Sequence, residues 1–453
     1  MKAERPPVQF ADLAKRSSAS QLLFPGTTEH KLLLGEYRPW RKVRAIAHDL
    51  GIPAEDAWAS VKMARSYGWR ALSLVPSGAD SPFGLCVGPH ISRQLHRIDR
   101  ATGGGGAFAL GSERGAFSDP GSRDRLRIKT LMDEAAESSL IEGAATTRKD
   151  AVELLRSGRE PTSIGEKMVV NNYVAMQTIK RVVDRPLSVE MLLRLQTILT
   201  KDTLAEPDEI GRLRVASEAV RVVDERTGEA IFTPPPAADL PERLARLCDF
   251  ANAEHEDGDD FLHPIVKACI LHFMIGYEHP FCDGNGRTAR AVFYWFAIKS
   301  GYTIFEYTAI SELIRKSYAG YPQAYLDSES DDNDLTYFVL YKLNVIIQAL
   351  ARLAEHIAEQ EKKIQDSERL LKFAKDLNLR QRLLLEHALR KPLTVYTVKS
   401  HMNSNGITPV TARADLDDLV RRKFMVTSKR GKEVLYMLAP GFAQKLASKL
   451  AKG

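Results

Sequence analysis

Residues 279–290, HPFCDGNGRTAR, combine within 12 positions the side chains that transfer of a phosphorus-containing group requires. His279 can act as a base near neutral pH, and Asp283 is the kind of hard oxygen ligand that Mg²⁺ prefers. Arg287 and Arg290 lie three positions apart, so both could reach one anionic ligand from the same helix turn. Together these residues predict phosphoryl or nucleotidyl transfer beside a metal-bound phosphate.

The glycines of the same segment predict a backbone site for anions. Pro280 disfavours helix at the residue before it, so the apolar helix ahead should end just before this point. A new helix should begin at Thr288, after the turn. The amides of Gly284, Asn285 and Gly286 would then lie at a helix N-terminus. The helix dipole favours anions there, and glycine lets a phosphate approach the backbone.

Apolar spacing predicts a mainly α protein with four segments. Residues 121–345 carry apolar residues at three- and four-residue spacing, interrupted by one short hairpin, VRVV and EAIF around a polar turn. Residues 1–120 form a mainly helical N-terminal region, and residues 346–375 form a charged linker helix with a one-sided apolar stripe. Residues 376–453 predict three helices and a hairpin, the order of a winged helix-turn-helix domain.

The 279–290 segment resembles the signature of the Fic family, H-P-F-x-D-G-N-G-R-x-x-R, and matches it at every specified position. The resemblance covers about residues 121–345 and implies a helical Fic core with a small β-hairpin flap. It implies that His279 deprotonates a Ser, Thr or Tyr hydroxyl of a target protein, and that Asp283 holds Mg²⁺. The resemblance implies that Gly284, Asn285 and Gly286 form the anion hole. It also implies that Arg287 and Arg290 bind the phosphates of ATP.

Gly286 distinguishes two reactions of such proteins. In the related Doc kinases a lysine stands at this position and ATP binds in the opposite direction. Gly286 therefore favours transfer of AMP over transfer of phosphate. ATP is the expected nucleotide, although relatives also use UTP or CDP-choline. Phe281 is expected to anchor the loop in the core.

A second segment, SSLIEG from Ser138 to Gly143, resembles the family's inhibitory motif, (S/T)-x-x-x-E-(G/N). From the residues alone, Glu142 ends a helix and its carboxylate opposes the helix dipole; an exposed surface glutamate is the alternative. The resemblance implies an inhibitory helix over about residues 124–143. Within it, Glu142 is expected to form a salt bridge to Arg290 at the γ-phosphate site. In some relatives this glutamate also orients a water that removes AMP from the target.

Two further elements are expected around the nucleotide. The hairpin resembles the family's flap, whose exposed strand edge can pair with an extended segment of a target protein. Its residues Ile231, Phe232 and Thr233 would cover the nucleotide. The side chains that lie where relatives contact adenine and ribose are Tyr321, Tyr325 and Ser328. The spacing of these three departs from the family pattern, and ordinary packing is their alternative role.

Composition excludes two classes of protein. No uninterrupted apolar run approaches the ~20 residues of a membrane span, and the N-terminus lacks the apolar segment of a secretory signal. The four cysteines form no C-x-x-C pair and are expected to be free thiols of a reducing compartment. We therefore expect a cytoplasmic protein without a membrane partner.

Positive charge is concentrated at the C-terminal end. Residues 380–453 contain 15 lysines and arginines against 5 aspartates and glutamates, whereas the whole chain has a net charge of +6. A basic end favours an anionic partner such as DNA. Asp415, Asp417 and Asp418, however, lie on the third helix and would repel DNA from their face. Protein docking or a homodimer is the alternative role of this domain.

These patterns are compatible with three functions, and the presence of His279 and Glu142 determines which of them is favoured. The first is a protein adenylyltransferase that is restrained by its own Glu142. The alternative is a DNA-binding transcriptional regulator whose Fic core senses nucleotide. The presence of His279 favours the enzyme, because a sensor needs no base. The third, a toxin of a toxin–antitoxin pair, is disfavoured because Glu142 supplies the inhibitor within the same chain.

Overall fold

The structure is a computed structural model of the whole chain. It describes residues 6, 27–74, 82–103, 120–218, 220–223, 230–254, 260–371, 376–390, 394–430 and 433–442. The chain divides into two compact units, residues 1–354 and residues 355–453, and each is described by itself.

The first unit begins with short helices around a small apolar core. Its elements are α1 (Thr28–Leu34), α2 (Trp40–Asp49), α3 (Ala54–Ser66), β1 (Trp69–Ala71), β2 (Gly84–Cys86) and α4 (Pro89–Thr102). The two strands pair in antiparallel orientation. Trp40 and Trp58 are buried and pack edge to face, with ring centroids 5.7 Å apart. These tryptophans therefore belong to the core and stabilise the region by burial of their large apolar surface.

The helices that surround the catalytic segment follow. They are α5 (Pro120–Ile141), α6 (Arg148–Ser157), α7 (Ile164–Arg181), α8 (Val189–Thr200), α9 (Leu240–Asn252), α10 (Pro264–Glu278), α11 (Asn285–Lys299), α12 (Ser311–Lys316), α13 (Gly320–Ser330) and α14 (Thr336–Leu371). Between α8 and α9, β3 (Val222–Val223) pairs antiparallel with β4 (Ala230–Phe232). The predicted mainly α fold with a small hairpin is confirmed.

The centre of this unit is formed by α10 and α11. Nearly every side chain of both helices is buried. Helix α10 is apolar over most of its surface, and such helices are stable only inside a protein. The two helices meet at the predicted catalytic segment. The start of α11 at Asn285 comes earlier than the predicted start at Thr288, because Gly284 already adopts the turn conformation that begins the helix. Helix α5, predicted over about residues 124–143, spans Pro120–Ile141.

One helix of the described chain has the length and apolar composition of a membrane span, Thr336–Gln360 within α14. Of that window, 56% is buried inside the protein. Leu343 and Ile346, for example, are fully buried. Because the core helix of a soluble protein has the same properties, this window is weak evidence for a membrane.

The second unit consists of helices followed by an antiparallel pair of strands. Its elements are α15 (Leu379–Arg390), α16 (Val398–Asn405), α17 (Pro409–Arg421), β5 (Met425–Arg430) and β6 (Glu433–Leu438). Tyr396 pairs with Tyr436 beside these strands. Gly406 ends α16 at φ +61°, a backbone conformation that favours glycine. The hairpin tip at residues 431–432 lies outside the described residues.

The aspartates of α17 do not form the repulsive face that the sequence predicted. Asp415 is 5% exposed and accepts a hydrogen bond from Arg380 Nε at 2.8 Å. Asp418 accepts one from Arg422 Nε, also at 2.8 Å. Asp417 alone of the three stays exposed. The prediction was therefore wrong for Asp415 and Asp418, because neighbouring guanidinium groups neutralise both carboxylates.

Candidate active site

The catalytic segment is a tight loop that its own side chains hold in place. His279 follows α10 in the left-handed conformation, with φ 45° and ψ 55°. Gly284 precedes α11 with φ +86°. The side chain of Asn285 accepts a hydrogen bond from the Phe281 amide at 3.0 Å and donates one to the Phe281 carbonyl at 2.8 Å. Phe281 is fully buried, so it anchors the loop as predicted.

The tautomer of His279 follows from one contact. Its Nδ1 lies 3.2 Å from the carbonyl oxygen of Gly276. Because a carbonyl oxygen only accepts, Nδ1 carries the proton, and Nε2 of the neutral ring keeps its lone pair. Burial lowers the pKa of His279 below its ordinary value, which favours this neutral form. Nε2 can therefore take a proton from a hydroxyl placed beside it.

Arg214 joins this loop to the end of the hairpin. Its Nε donates to the carbonyl of His279 at 2.8 Å, and its Nη2 donates to the carbonyl of Pro235 at 2.5 Å. Its backbone amide donates to the carbonyl of Pro280 at 2.9 Å. Since Pro235 follows β4, one buried guanidinium fixes the exit of the hairpin relative to the histidine.

A buried ion pair holds the residue before the histidine. Arg243 Nε and Nη2 donate to the two carboxylate oxygens of Glu278 at 2.6 and 2.9 Å. The two side chains are 6% and 2% exposed. Burial raises the pKa of Glu278, so the arginine is what keeps the carboxylate charged in this position.

Arg243→Ala should destabilise the first unit by about 3–5 kcal/mol, because it leaves the Glu278 carboxylate buried without its partner. Urea unfolding followed by tryptophan fluorescence measures this, since all four tryptophans lie in residues 1–354. The matched control is Arg246→Ala on the same helix. Arg246 pairs with Glu242, but the two side chains are 55% and 73% exposed, so we expect a loss below about 1 kcal/mol. Equal losses would contradict the prediction.

Arg287 is directed at the protein rather than at open space. Its Nη2 donates to Asp283 Oδ2 at 2.7 Å and its Nη1 donates to the carbonyl of Leu199 at 2.9 Å. The Arg287 side chain is 0% exposed, whereas that of Asp283 is 46% exposed. The amide of Gly284 donates to Asp283 Oδ1 at 2.6 Å. The structure thus places Arg287 as the support of an outward carboxylate, and not at the cavity described below.

Glu142 and Arg290 form the ion pair that the resemblance implied. Arg290 Nη2 lies 2.9 Å from Glu142 Oε1. Arg290 also donates to Ser138, from Nε to Oγ at 2.8 Å and from Nη2 to the carbonyl at 3.0 Å. A Cβ atom built on Gly286 would lie 2.4 Å from Glu142 Oε1. The carboxylate therefore stands against the backbone at the N-terminus of α11, where an anion is stabilised.

A cavity of about 190 Å³ brings the predicted residues together. Of the residues predicted from sequence, its lining includes Glu142, Phe232, His279, Asn285, Gly286, Tyr321 and Tyr325. Thr233, Asp283, Arg287 and Arg290 are not among its lining residues. The side chain of Ile231 lies outside the described residues.

The tyrosines of α13 are held by α10. The hydroxyl of Tyr321 lies 2.7 Å from His272 Nε2, and the Tyr325 ring stacks on Phe273 with centroids 4.8 Å apart. A Cβ atom built on Gly276 would lie 2.4 Å from the Tyr325 hydroxyl, so this glycine lets the ring approach α10. Packing and cavity lining are thus both roles of these tyrosines.

Sequence reasoning missed part of the lining and chose one residue wrongly. Ser328 is fully buried, and its hydroxyl accepts a hydrogen bond from the Phe338 amide at 3.3 Å, so its role is structural. The next residue, Glu329, lines the cavity instead, and burial raises its pKa to about 8. Its position one turn after Tyr325 was the available signal. Tyr318 and Pro322 also line the cavity without having been predicted.

One group of potential metal ligands lies beside the loop among the described residues. Ligand atoms of Glu209, Glu218 and Cys282 lie within 4.8 Å of one another. Glu218 already accepts hydrogen bonds from Arg212 Nη1 at 3.1 Å and from Cys282 Sγ at 3.1 Å. This group therefore has a structural explanation, and Asp283 remains the candidate metal ligand that the sequence predicted.

The sequence around this loop is similar to that of known proteins. The Fic/DOC family profile matches residues 186–297. The protein adenylyltransferase Fic of Drosophila yakuba is 24% identical over 298 residues, which is 64% of this chain and 54% of that protein. The protein adenylyltransferase fic-1 of Caenorhabditis briggsae is 35% identical over 98 residues, or 22% of this chain and 17% of that protein.

The fold has a counterpart among solved structures. A Fic family protein from Desulfovibrio desulfuricans G20 superposes with a TM-score of 0.51 at 19% identity, over 78% of this chain and 97% of that one. The chain spans only 17% and 54% of the length of the two adenylyltransferases. The matched family segment nevertheless contains the complete catalytic loop. The chain therefore contains a Fic/DOC domain at residues 186–297, within a fold similar to that of a solved Fic family protein.

Proposed function

We propose that this chain is a protein adenylyltransferase, which transfers AMP from ATP to a hydroxyl group of a target protein. We propose further that Glu142 inhibits this activity. The observation that carries the proposal is the 2.9 Å ion pair between buried Arg290 and Glu142. Glu142 lines the same cavity as His279. Arg290 Nη1 has no hydrogen-bond partner among the described residues. Once Glu142 moves, this guanidinium can bind a phosphate in its place.

The proposed reaction uses the neutral imidazole as a general base. His279 Nε2 takes the proton of the target hydroxyl, and the hydroxyl oxygen attacks the α-phosphorus of ATP. The new oxygen–phosphorus bond forms as the bond to the β-phosphate oxygen breaks, and pyrophosphate leaves. The amides at the N-terminus of α11 and Arg290 stabilise the negative charge on the phosphates. The hairpin of β3 and β4 is the proposed docking edge for the target protein.

The site also fits a magnesium ion. Asp283 offers a hard oxygen ligand that is about half exposed and oriented by Arg287 and by the Gly284 amide. When bound, Mg²⁺ would neutralise charge on the phosphates. Arg287 then acts indirectly, because it orients the carboxylate.

Two labels distinguish AMP transfer from phosphate transfer. The Glu142→Gly protein is incubated with Mg²⁺ and ATP that carries its label in either the α- or the γ-phosphate. Label should become covalently attached to protein only from the α position, and mass spectrometry should find AMP on Ser, Thr or Tyr. Attachment of the γ-label would instead indicate a kinase.

The rate of labelling should persist to unusually low pH. Because burial lowers the pKa of His279, its basic, neutral form survives when pH falls through the ordinary value of about 6.5. In Glu142→Gly the pKa should fall further, since the Glu142 carboxylate raises it. Measured as kcat/KM against pH, the acid limb should therefore have its midpoint below 6.5. A midpoint above 6.5 would contradict the assignment of this histidine as base.

We propose DNA as a partner of the second unit, a winged helix-turn-helix domain in this interpretation. The side chains of Arg413, Arg421 and Lys429 are exposed, while Asp415 and Asp418 are neutralised. Salt-dependent binding to duplex DNA that is lost in Arg413→Glu would support the partner. Salt-independent binding, or none, would contradict it. The cytoplasmic location and the homodimer stay predictions.

A further inference from the structure

A second and larger cavity lies in the first unit. It shares no lining residue with the cavity that Glu142 and His279 line. Its volume is about 430 Å³, within the range of about 300–1,000 Å³ that is typical of sites for small molecules. Its walls come from α5, α7, α11 and residues 305–308. The cavity therefore adjoins both helices that carry the inhibitory ion pair.

The inner wall of this cavity is suited to an apolar body. Aliphatic and aromatic side chains make up half of its lining residues, among them Leu131, Met176, Ile179, Ile298 and Phe305. Its deeper polar groups are already satisfied by the protein.

Two of those polar groups illustrate this. The Glu134 carboxylate accepts hydrogen bonds from the Ser311 amide at 3.0 Å and from the Ser311 hydroxyl. The Tyr294 hydroxyl donates to the carbonyl of Thr308 at 3.0 Å and accepts from the Ile310 amide at 3.0 Å. A polar ligand would gain little there, whereas an apolar one gains by leaving water.

Charged side chains at the edge of the cavity favour an anion. Arg127, Lys180 and Arg181 contribute three positive charges, and Glu306 contributes one negative charge. Glu306 pairs with Lys180 and lies 3.5 Å from Arg127 Nη1. Arg127 Nη2 also pairs with Asp124 at 2.7 Å. Three positive charges against these two carboxylates leave one net positive charge at the edge, enough for a single anionic group.

We propose that this cavity binds a small amphipathic acid, with an aliphatic or aromatic body inside and one anionic head group at Arg127, Lys180 and Arg181. The apolar body matches the walls, and the single negative charge complements the edge.

The position of the cavity couples such a ligand to the inhibitory glutamate. Leu131 and Glu134 line it from α5, the helix that leads to Glu142, and Tyr294 lies one helical turn after Arg290. A ligand that binds the packed arrangement of α5 and α11 stabilises that arrangement. The acid should therefore strengthen inhibition, a consequence that depends on the proposed function, and ATP should in turn weaken binding of the acid.

Binding is tested on the full chain with 1-anilinonaphthalene-8-sulfonate, a fluorescent aromatic anion, and with octanoate as competitor. We expect a saturable fluorescence increase with one site per chain, reversed by octanoate but much less by octanol, which lacks the charge. Arg181→Glu should weaken binding about fivefold or more. Arg185→Glu makes the same charge change at an exposed position that does not line the cavity, and it should have no effect.

Filling the cavity is the second test. Ile298→Trp should abolish the octanoate-sensitive fluorescence, provided that circular dichroism shows a folded protein. If Ile298→Trp does not fold, the comparison of Arg181→Glu with Arg185→Glu decides the question. Unchanged binding in Arg181→Glu, or equal effects of both reversals, would overturn the site.

The regulatory step has a separate readout. Saturating octanoate should slow AMP labelling by the wild-type protein several-fold but should leave Glu142→Gly unchanged, because the latter has no carboxylate to hold in place. Equal inhibition of both proteins would overturn the coupling. If Glu142→Gly shows no labelling although octanoate binds as expected, the proposed function fails while the binding site stands.

Discussion

Glycine in place of Glu142 should raise AMP labelling by about 10- to 100-fold. In the wild-type protein, ATP must displace a carboxylate that is bonded to Arg290 at 2.9 Å and stands against Gly286. A hydrogen bond between charged groups contributes about 1.5–3 kcal/mol, and each 1.4 kcal/mol is about tenfold in an equilibrium constant. The measurement is the initial rate of protein labelling from ATP labelled at the α-phosphate, at an ATP concentration well below saturation.

Two variants separate the loss of this contact from a general effect of the substitution. Glu160→Gly removes an exposed glutamate in a non-helical segment and should label at the wild-type rate. Glu142→Gln keeps the size of the side chain but removes its charge, so its rate should lie between those of wild type and Glu142→Gly. If Glu142→Gly labels no protein with ATP, UTP or CDP-choline, the proposed activity is wrong.

The local structure of the loop at residues 279–290 could be predicted because its residues are contiguous in the sequence. A base, a carboxylate and a glycine-rich helix start within residues 279–290 specify their own local geometry. The partner in space, Glu142, lies 148 positions before Arg290, and only the resemblance to a known motif connected the two. Local sequence patterns do not show which residues so far apart in the chain come into contact in the fold.

Helix faces were harder to predict than helices. Ser328 and Glu329 differ by one position, but one step along a helix turns a side chain by about 100°. That rotation directs Ser328 to the amide of Phe338 and leaves Glu329 at the cavity. Asp415 and Asp418 show a related difficulty, because the sequence does not indicate which arginines will form ion pairs with their carboxylates.

The N-terminal region contacts the core through a buried polar network that no sequence motif predicts. Lys62 Nζ lies 2.8 Å from Asp331 Oδ1, and Arg65 Nη1 donates to the Tyr337 hydroxyl at 2.6 Å. Each pair joins residues about 270 positions apart. Since Asp331 directly follows α13, the helix of Tyr321 and Tyr325, this region supports one wall of the cavity that Glu142 and His279 line.

Removal of the imidazole should have the largest effect on chemistry. In the Glu142→Gly background, His279→Ala should lower the labelling rate by about 10²–10⁴-fold, the range that a positioned general base contributes. ATP should still bind with nearly unchanged affinity, because Arg290 and the amides at the start of α11 do not depend on the imidazole. Single-turnover labelling gives the rate, and calorimetric titration with ATP and Mg²⁺ gives the affinity.

The backbone at this position determines how the test must be controlled. His279 has φ 45°, a region that costs alanine about 1 kcal/mol or more, so His279→Ala combines strain with loss of the base. Asparagine tolerates this conformation and has no basic nitrogen, so His279→Asn should lose the same activity in an unstrained loop. His48→Ala, at a side chain that is 90% exposed, should label normally. Rapid labelling by His279→Asn would mean that another group accepts the proton, and the assignment of the base would then be wrong.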